Sequence, residues 1–124
     1  MSKLLNVLAV DDDMINLKLL KSMLKKTEKI AEVIEAGNGS DAIAILNSRD
    51  DIDLILLDIV MPVMNGIEML KIVRADEKLQ QLPIIVLTTD ETKKSEALEL
   101  GANGFLMKPI RAADLQHKID SVLI

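Results

Sequence analysis

Leu54-Ile55-Leu56-Leu57-Asp58 decides the fold: four consecutive apolar residues closed by an acid. A strand with one wet face alternates apolar and polar residues, whereas an unbroken short run is expected of a strand covered on both faces, the situation of a parallel sheet. The same reading fits Leu5 to Val10, which runs into Asp11, Asp12 and Asp13, and Ile84 to Leu87, which runs into Thr88 and Thr89. Ile30 to Glu35 and Gly104 to Met107 complete five candidate strands, the last leading to Lys108.

The segments between these runs have helical spacing. Leu17, Leu20 and Leu24 fall three and four apart, as do Ala42, Ile45 and Leu46, and each set makes one apolar face. Asn65 followed by Glu68 resembles a capping box opening a helix through Arg74, and Gly101 closes a helix starting near Thr92. Leu115, Ile119 and Val122 mark the last helix. Right-handed crossovers then place helices on both faces of the sheet. The expected fold is α/β, a doubly wound five-stranded parallel sheet in the order 2-1-3-4-5 within a three-layer (βα)5 sandwich.

With 124 residues the chain has the size of one domain, and no linker or repeat divides it, so residues 1-124 are expected to form a single unit. The Met1 start suggests a complete chain, and the end at Ile124, just after the last helix, implies output through the surface of this domain. The net charge of -5 repels phosphate backbones and anionic membranes, which argues against direct nucleic-acid or membrane binding. Phe105 is the only aromatic residue, so there is no platform for stacking bases, a flavin or a sugar. Without cysteine there is neither a disulfide framework nor a thiolate metal site. No leader or membrane-spanning run is legible, so the cytoplasm is the expected compartment.

In an open parallel sheet, ligands bind beyond the carboxyl ends of the strands. The residues there are Asp11, Asp12, Asp13, Asp58, Thr88, Thr89 and Lys108. Singly, each has an ordinary explanation: helix cap, turn acid or surface charge. Together they bring carboxylates, a lysine and a threonine to one edge. Two carboxylates 4 Å apart repel by about 4 kcal/mol at an effective dielectric near 20. An all-oxygen donor set suits a hard divalent ion, Mg²⁺ or in its place Mn²⁺, and Lys108 adds a second positive charge. Phosphoryl transfer requires mainly such neutralisation and positioning, and a carboxylate can accept the group.

With Val7-Leu8-Ala9-Val10-Asp11-Asp12, Leu54 to Asp58, Met61-Pro62, Asn65-Gly66, Val86-Leu87-Thr88-Thr89, Gly101-Ala102 and Lys108-Pro109 in this order and spacing, the chain resembles the receiver domain of bacterial two-component response regulators, the CheY-like group with a flavodoxin-like fold. The resemblance covers essentially the whole chain. It implies that Asp58 accepts phosphate from a phosphohistidine on a sensor histidine kinase or phosphotransfer domain, or from a small phosphodonor. Asp11, Asp12 and Asp58, with the backbone carbonyl of Val60, would hold Mg²⁺. Lys108, the Thr88 hydroxyl and the Thr89 N–H would bind phosphoryl oxygens, and Phe105 would respond by remodelling the face of helix four, strand five and helix five toward a downstream effector protein. The implied state is a monomer, with dimerisation on phosphorylation as the alternative.

Many relatives have tyrosine where Phe105 stands, so the two ring positions would differ here by packing alone. Val60 and Asp90 occupy positions that tune the lifetime of the phosphate in relatives. Met14 and Ile15, with Pro109 and Ile110, are read evenly as partly buried under the strand-five loop or as a docking patch for the kinase helices. His117 has no expected catalytic role.

Among other readings, a haloacid-dehalogenase-type phosphatase would need a second acid where Val60 stands, which makes turnover by an enzyme the distant choice. A flavodoxin-like cofactor domain would need a hydroxyl-rich loop in place of Asp11 to Asp13. A degenerate receiver acting only as an interaction module would lack the acids that are present. The expected function is a phosphoacceptor switch of chemotaxis type, with a phosphorelay intermediate passing phosphate to a histidine phosphotransfer domain as its alternative.

Overall fold

The computed structural model describes residues 4–27, 29–59 and 64–123. Among the described residues five strands and five α-helices alternate: β1 (Leu5–Val10), α1 (Met14–Lys25), β2 (Ile30–Ala36), α2 (Gly39–Ser48), β3 (Leu54–Asp58), α3 (Gly66–Ala75), β4 (Ile84–Thr88), α4 (Lys94–Glu99), β5 (Gly104–Met107) and α5 (Ala112–Val122). All strand pairs are parallel, in the order β2-β1-β3-β4-β5. The expected architecture and strand order are therefore those of the molecule.

The apolar runs of the central strands are buried on both sides because alternate residues feed two cores. Leu8, Val10, Ile55, Leu57, Ile84 and Val86 pack with residues of α2, α3 and α4. Their neighbours Val7, Ala9, Leu54, Leu56, Ile85 and Leu87 pack against Leu17, Leu20 and Leu24 of α1 and Leu115 and Ile119 of α5. Side chains of successive strand residues point to opposite faces, so an uninterrupted apolar run is what two covering layers require. No helix among the described residues is long and apolar enough to cross a membrane.

Local signals fix the helix starts. Asp13 caps α1 by accepting from the Ile15 N–H at 2.9 Å, and Asn65 caps α3 by accepting from the Glu68 N–H at 2.9 Å. Gly101, with φ of 105°, turns the chain after α4 in the left-handed region that glycine tolerates.

The helix expected from Thr92 has a different beginning. Glu91–Lys93 is a 3₁₀ turn and α4 starts at Lys94. The cause is Asp90, whose carboxylate accepts from the Thr92 N–H at 3.0 Å and so draws the first turn tight. Strands β2, β3 and β4 each run one residue beyond the expected stretch, to Ala36, Asp58 and Thr88. Asp58 and Thr88 thus inherit the rigidity of the sheet.

Candidate functional site

The sheet register brings the site together. Val10 pairs with Leu57 across β1 and β3, Asp58 pairs with Leu87 across β3 and β4, and Thr88 pairs with Met107 across β4 and β5. The residues that follow or end these strands, Asp11, Asp58, Thr88 and Lys108, therefore meet at one edge. The Asp11 N–H donates to the Ala36 carbonyl at 3.1 Å and the Lys108 N–H to the Thr88 carbonyl at 2.8 Å, so the ladder extends past both strand ends.

Carboxylate oxygens of Asp11, Asp12 and Asp58 lie within 4.8 Å of one another. Asp11 is 1% exposed and Asp58 7%, while Asp12 opens to solvent, so the cluster is a pit with one wet wall. The Lys108 ammonium lies 2.8 Å from Asp11 Oδ2 and 3.5 Å from Asp58 Oδ2. Asp11 Oδ1 accepts from the Asp13 N–H at 2.9 Å, which fixes the carboxylate plane.

Burial is the largest single influence on Lys108 and opposes its charge. The hydrogen bonds to Asp11 and Asp58 and the fields of both carboxylates together outweigh it, and its pKa is raised above the ordinary lysine value. Three carboxylates against one ammonium leave two negative charges, the complement of a divalent cation. The donors are all oxygen, with no His or Cys among them, as a hard cation requires. The set fits Mg²⁺.

Thr88 is fully buried, and its Oγ1 accepts from the Asp90 N–H at 3.2 Å. Thr89 is exposed at the rim. Phe105 is half-buried and packs against the core beneath α2, α3 and α4, with the Lys94 ammonium 6.0 Å from its ring centroid. Val60, expected to offer its carbonyl, lies outside the described residues. His117 is exposed on α5.

Met14 and Ile15 are 67% and 70% exposed, so partial burial under the strand-five loop does not occur. Leu19, one turn beyond Ile15 and 53% exposed, continues the apolar stripe toward a groove of about 120 Å³ whose far wall is Pro109 and Ile110. Sequence reading missed Leu19, although its spacing of four from Ile15, off the face of Leu17, Leu20 and Leu24, was the available signal. It also missed the Lys94 contact, which only the packing of α4 over β5 creates.

Residues 7–120 match the response regulator receiver domain. The chain is 34% identical to chemotaxis protein CheY-3 of Vibrio cholerae, covering 98% of this chain and 94% of that one. It is also 34% identical to the chemotaxis protein CheY homolog of Campylobacter jejuni, covering 96% and 92%. Among solved structures, the chemotaxis response regulator CheY4 of Vibrio cholerae superimposes with a TM-score of 0.87 at 34% identity, covering 97% and 99% of the two chains. The CheX-CheY-BeF3-Mg complex of Borrelia burgdorferi gives 0.86 at 30% identity, covering 97% of this chain and 90% of that one.

Proposed function

Because this chain belongs to the response regulator receiver family and is a phosphoacceptor signalling switch, we propose that Asp58 is the residue that takes the phosphoryl group. The observation that carries the assignment is the Lys108 ammonium between Asp11 and Asp58, beside three carboxylates gathered within 4.8 Å. Of the three acids, Asp58 alone ends a buried central strand and faces both the lysine and the Thr88 strand end.

An Asp58 carboxylate oxygen attacks the phosphorus of the donor. The bond from phosphorus to the donor's imidazole nitrogen, or to the acyl oxygen of a small phosphodonor, breaks and its electron pair leaves with the donor. Asp11, Asp12 and Asp58, with the Val60 carbonyl, would hold Mg²⁺, or Mn²⁺ in its place, and the ion would supply charge neutralisation for the acceptor and the transferred oxygens. Lys108 shifts from its carboxylates toward a phosphoryl oxygen, and the Thr88 hydroxyl and Thr89 N–H donate to the others. Phe105 and the face of α4, β5 and α5 then carry the change to a downstream effector protein.

The phosphodonor is a sensor histidine kinase or phosphotransfer domain, which docks by its helices on the exposed Met14, Ile15 and Leu19 stripe. The protein acts in the cytoplasm as a monomer that loses its phosphate slowly, not as a turnover enzyme, and residues 1–124 act as one receiver domain. The chemotaxis proteins among its relatives favour a diffusible regulator of a partner protein over a relay intermediate or a pure interaction module. Incubation with Mg²⁺ and acetyl phosphate tests the reading by intact mass. Gain of one phosphoryl group is expected, and its persistence in Asp58→Asn or without Mg²⁺ would overturn the assignment. Passage of the label to an added phosphotransfer domain would favour the relay.

A further inference from the structure

The segment between the site and α4 is a continuous string of contacts. Thr88 Oγ1 accepts from the Asp90 N–H at 3.2 Å. The Asp90 carboxylate accepts from the Thr92 N–H at 3.0 Å and from the Thr92 hydroxyl. The 3₁₀ turn this cap organises ends where Lys94 begins α4, with the Lys94 N–H donating to the Glu91 carbonyl. The Lys94 ammonium then stands 6.0 Å from the centre of the Phe105 ring.

A phosphoryl group on Asp58 offers Thr88 only acceptors. Threonine is stiff at χ1 and moves between staggered wells, so a turn of its hydroxyl toward the phosphate takes Oγ1 away from the Asp90 N–H. The Asp90 cap and the turn it holds lose that anchor, and Lys94 is the next residue along. On the assignment of Asp58 as acceptor, we propose that Lys94 is a positioning residue that acts through Phe105. Its contact with the ring belongs to the unphosphorylated arrangement and opposes the change that phosphate drives. Neither Lys94 nor Phe105 touches the reacting atoms. Their influence is a bias on which of two arrangements is populated, and it exists only if the contact differs between them.

A cation over a phenyl ring at an exposed site corresponds to about a two- to fivefold bias in such a population. Phe105 is the single aromatic residue, so protein made with ring-labelled phenylalanine gives one set of aromatic NMR signals, unobscured by others. The experiment compares wild type, Lys94→Met and Lys94→Arg with Mg²⁺, before and after acetyl phosphate, with intact mass read on the same samples. Lys94→Met keeps the hydrocarbon stem and removes the charge, while Lys94→Arg keeps a cation for the ring.

The expected result is that Lys94→Met, before any phosphodonor is added, moves the ring signals part of the way toward their phosphorylated position. It also takes up phosphate about two- to fivefold faster, by enlarging the competent fraction. Lys94→Arg stays with wild type in both. A Lys94→Met spectrum that coincides with unphosphorylated wild type, in samples whose mass shows full phosphorylation on addition of donor, would overturn the proposal. So would equal displacement in Lys94→Arg, since loss of packing alone would then explain the shift. Absence of a phosphoryl gain in wild type is a different failure: it removes the Asp58 assignment and this proposal with it. Thr92→Val, which removes the hydroxyl that meets Asp90, is a second variant away from the ring and is expected to shift it in the same direction as Lys94→Met.

Discussion

Lys108 reaches two carboxylates unequally, Asp11 at 2.8 Å and Asp58 at 3.5 Å, and this inequality suits its proposed task. It is anchored on Asp11 and only leans on Asp58, the residue proposed to take the phosphoryl group. Because its pKa is raised in the folded protein, its stabilising effect is fully present below the ordinary lysine value of about 10.4 and is lost as pH rises through the raised value. Metal-free thermal melts of wild type and Lys108→Met should therefore differ by a constant amount at neutral and mildly alkaline pH, with the gap closing only above about pH 10.4. A gap that closes already near neutrality would contradict the assignment of the stabilisation to this ammonium. The pairing itself was not legible from order and spacing. The expected strand order places Lys108 at the same edge as Asp11 and Asp58, and the structure adds that 97 residues of separation end in direct contact.

At the scale of elements, the close approach of α3 to the end of β3 rests on Gly66. A Cβ there would sit 2.5 Å from the Asp58 carbonyl oxygen and 2.7 Å from the Ile59 Cα, both backbone atoms of the site. Gly66→Ala should cost about 1–3 kcal/mol in urea unfolding, as overpacking does. Gly37→Ala, where no atom lies within 4 Å, should change stability by less than about 0.5 kcal/mol. Equal midpoints for the two would refute the tight junction. Arg74, at the end of α3, serves the opposite end of the sheet. Its guanidinium donates to the carbonyls of Gly101, Gln80 and Leu82 and to the Asn103 side chain, at 2.8 to 3.0 Å. Burial lowers its pKa, yet an arginine stays charged, so these oxygens must solvate it. Arg74→Lys supplies fewer donors in another geometry and should lose more than about 1 kcal/mol; an unchanged unfolding midpoint would deny it that role. In sequence, Arg74 looks like a favourable charge at a helix end and nothing more. The element starts were legible because Asp13 and Asn65 are local caps, and the start of α4 was not, since a 3₁₀ turn and a helical turn share the same residue preferences.

The whole molecule places a net repulsion at the end of a central strand buried along its whole length. That explains why the fold could be read so fully from the sequence while the site could be read only as a collection. Leu54 to Leu57 states its burial on two faces directly, whereas Asp11, Asp12 and Asp58 acquire meaning only when the sheet superimposes their ends. The cost is recoverable. Asp58→Asn should melt higher than wild type without metal, by on the order of 1 kcal/mol, because two repulsions are relieved for one attraction lost. Mg²⁺ should stabilise wild type by about 2.7 kcal/mol at a concentration of 100 Kd and the variant by less. Calorimetric melts with and without Mg²⁺ check both, and a variant that melts lower in both conditions would argue that the acid is structural. The most direct test of the central claim is to trap the modified residue. Protein treated with Mg²⁺ and acetyl phosphate is reduced with borohydride, which converts an acyl phosphate to the alcohol, and its peptides are read by mass spectrometry. Conversion of Asp58 to homoserine, with Asp11, Asp12 and Asp13 intact, is the expected result; conversion at any of those three, or at none, would contradict the account.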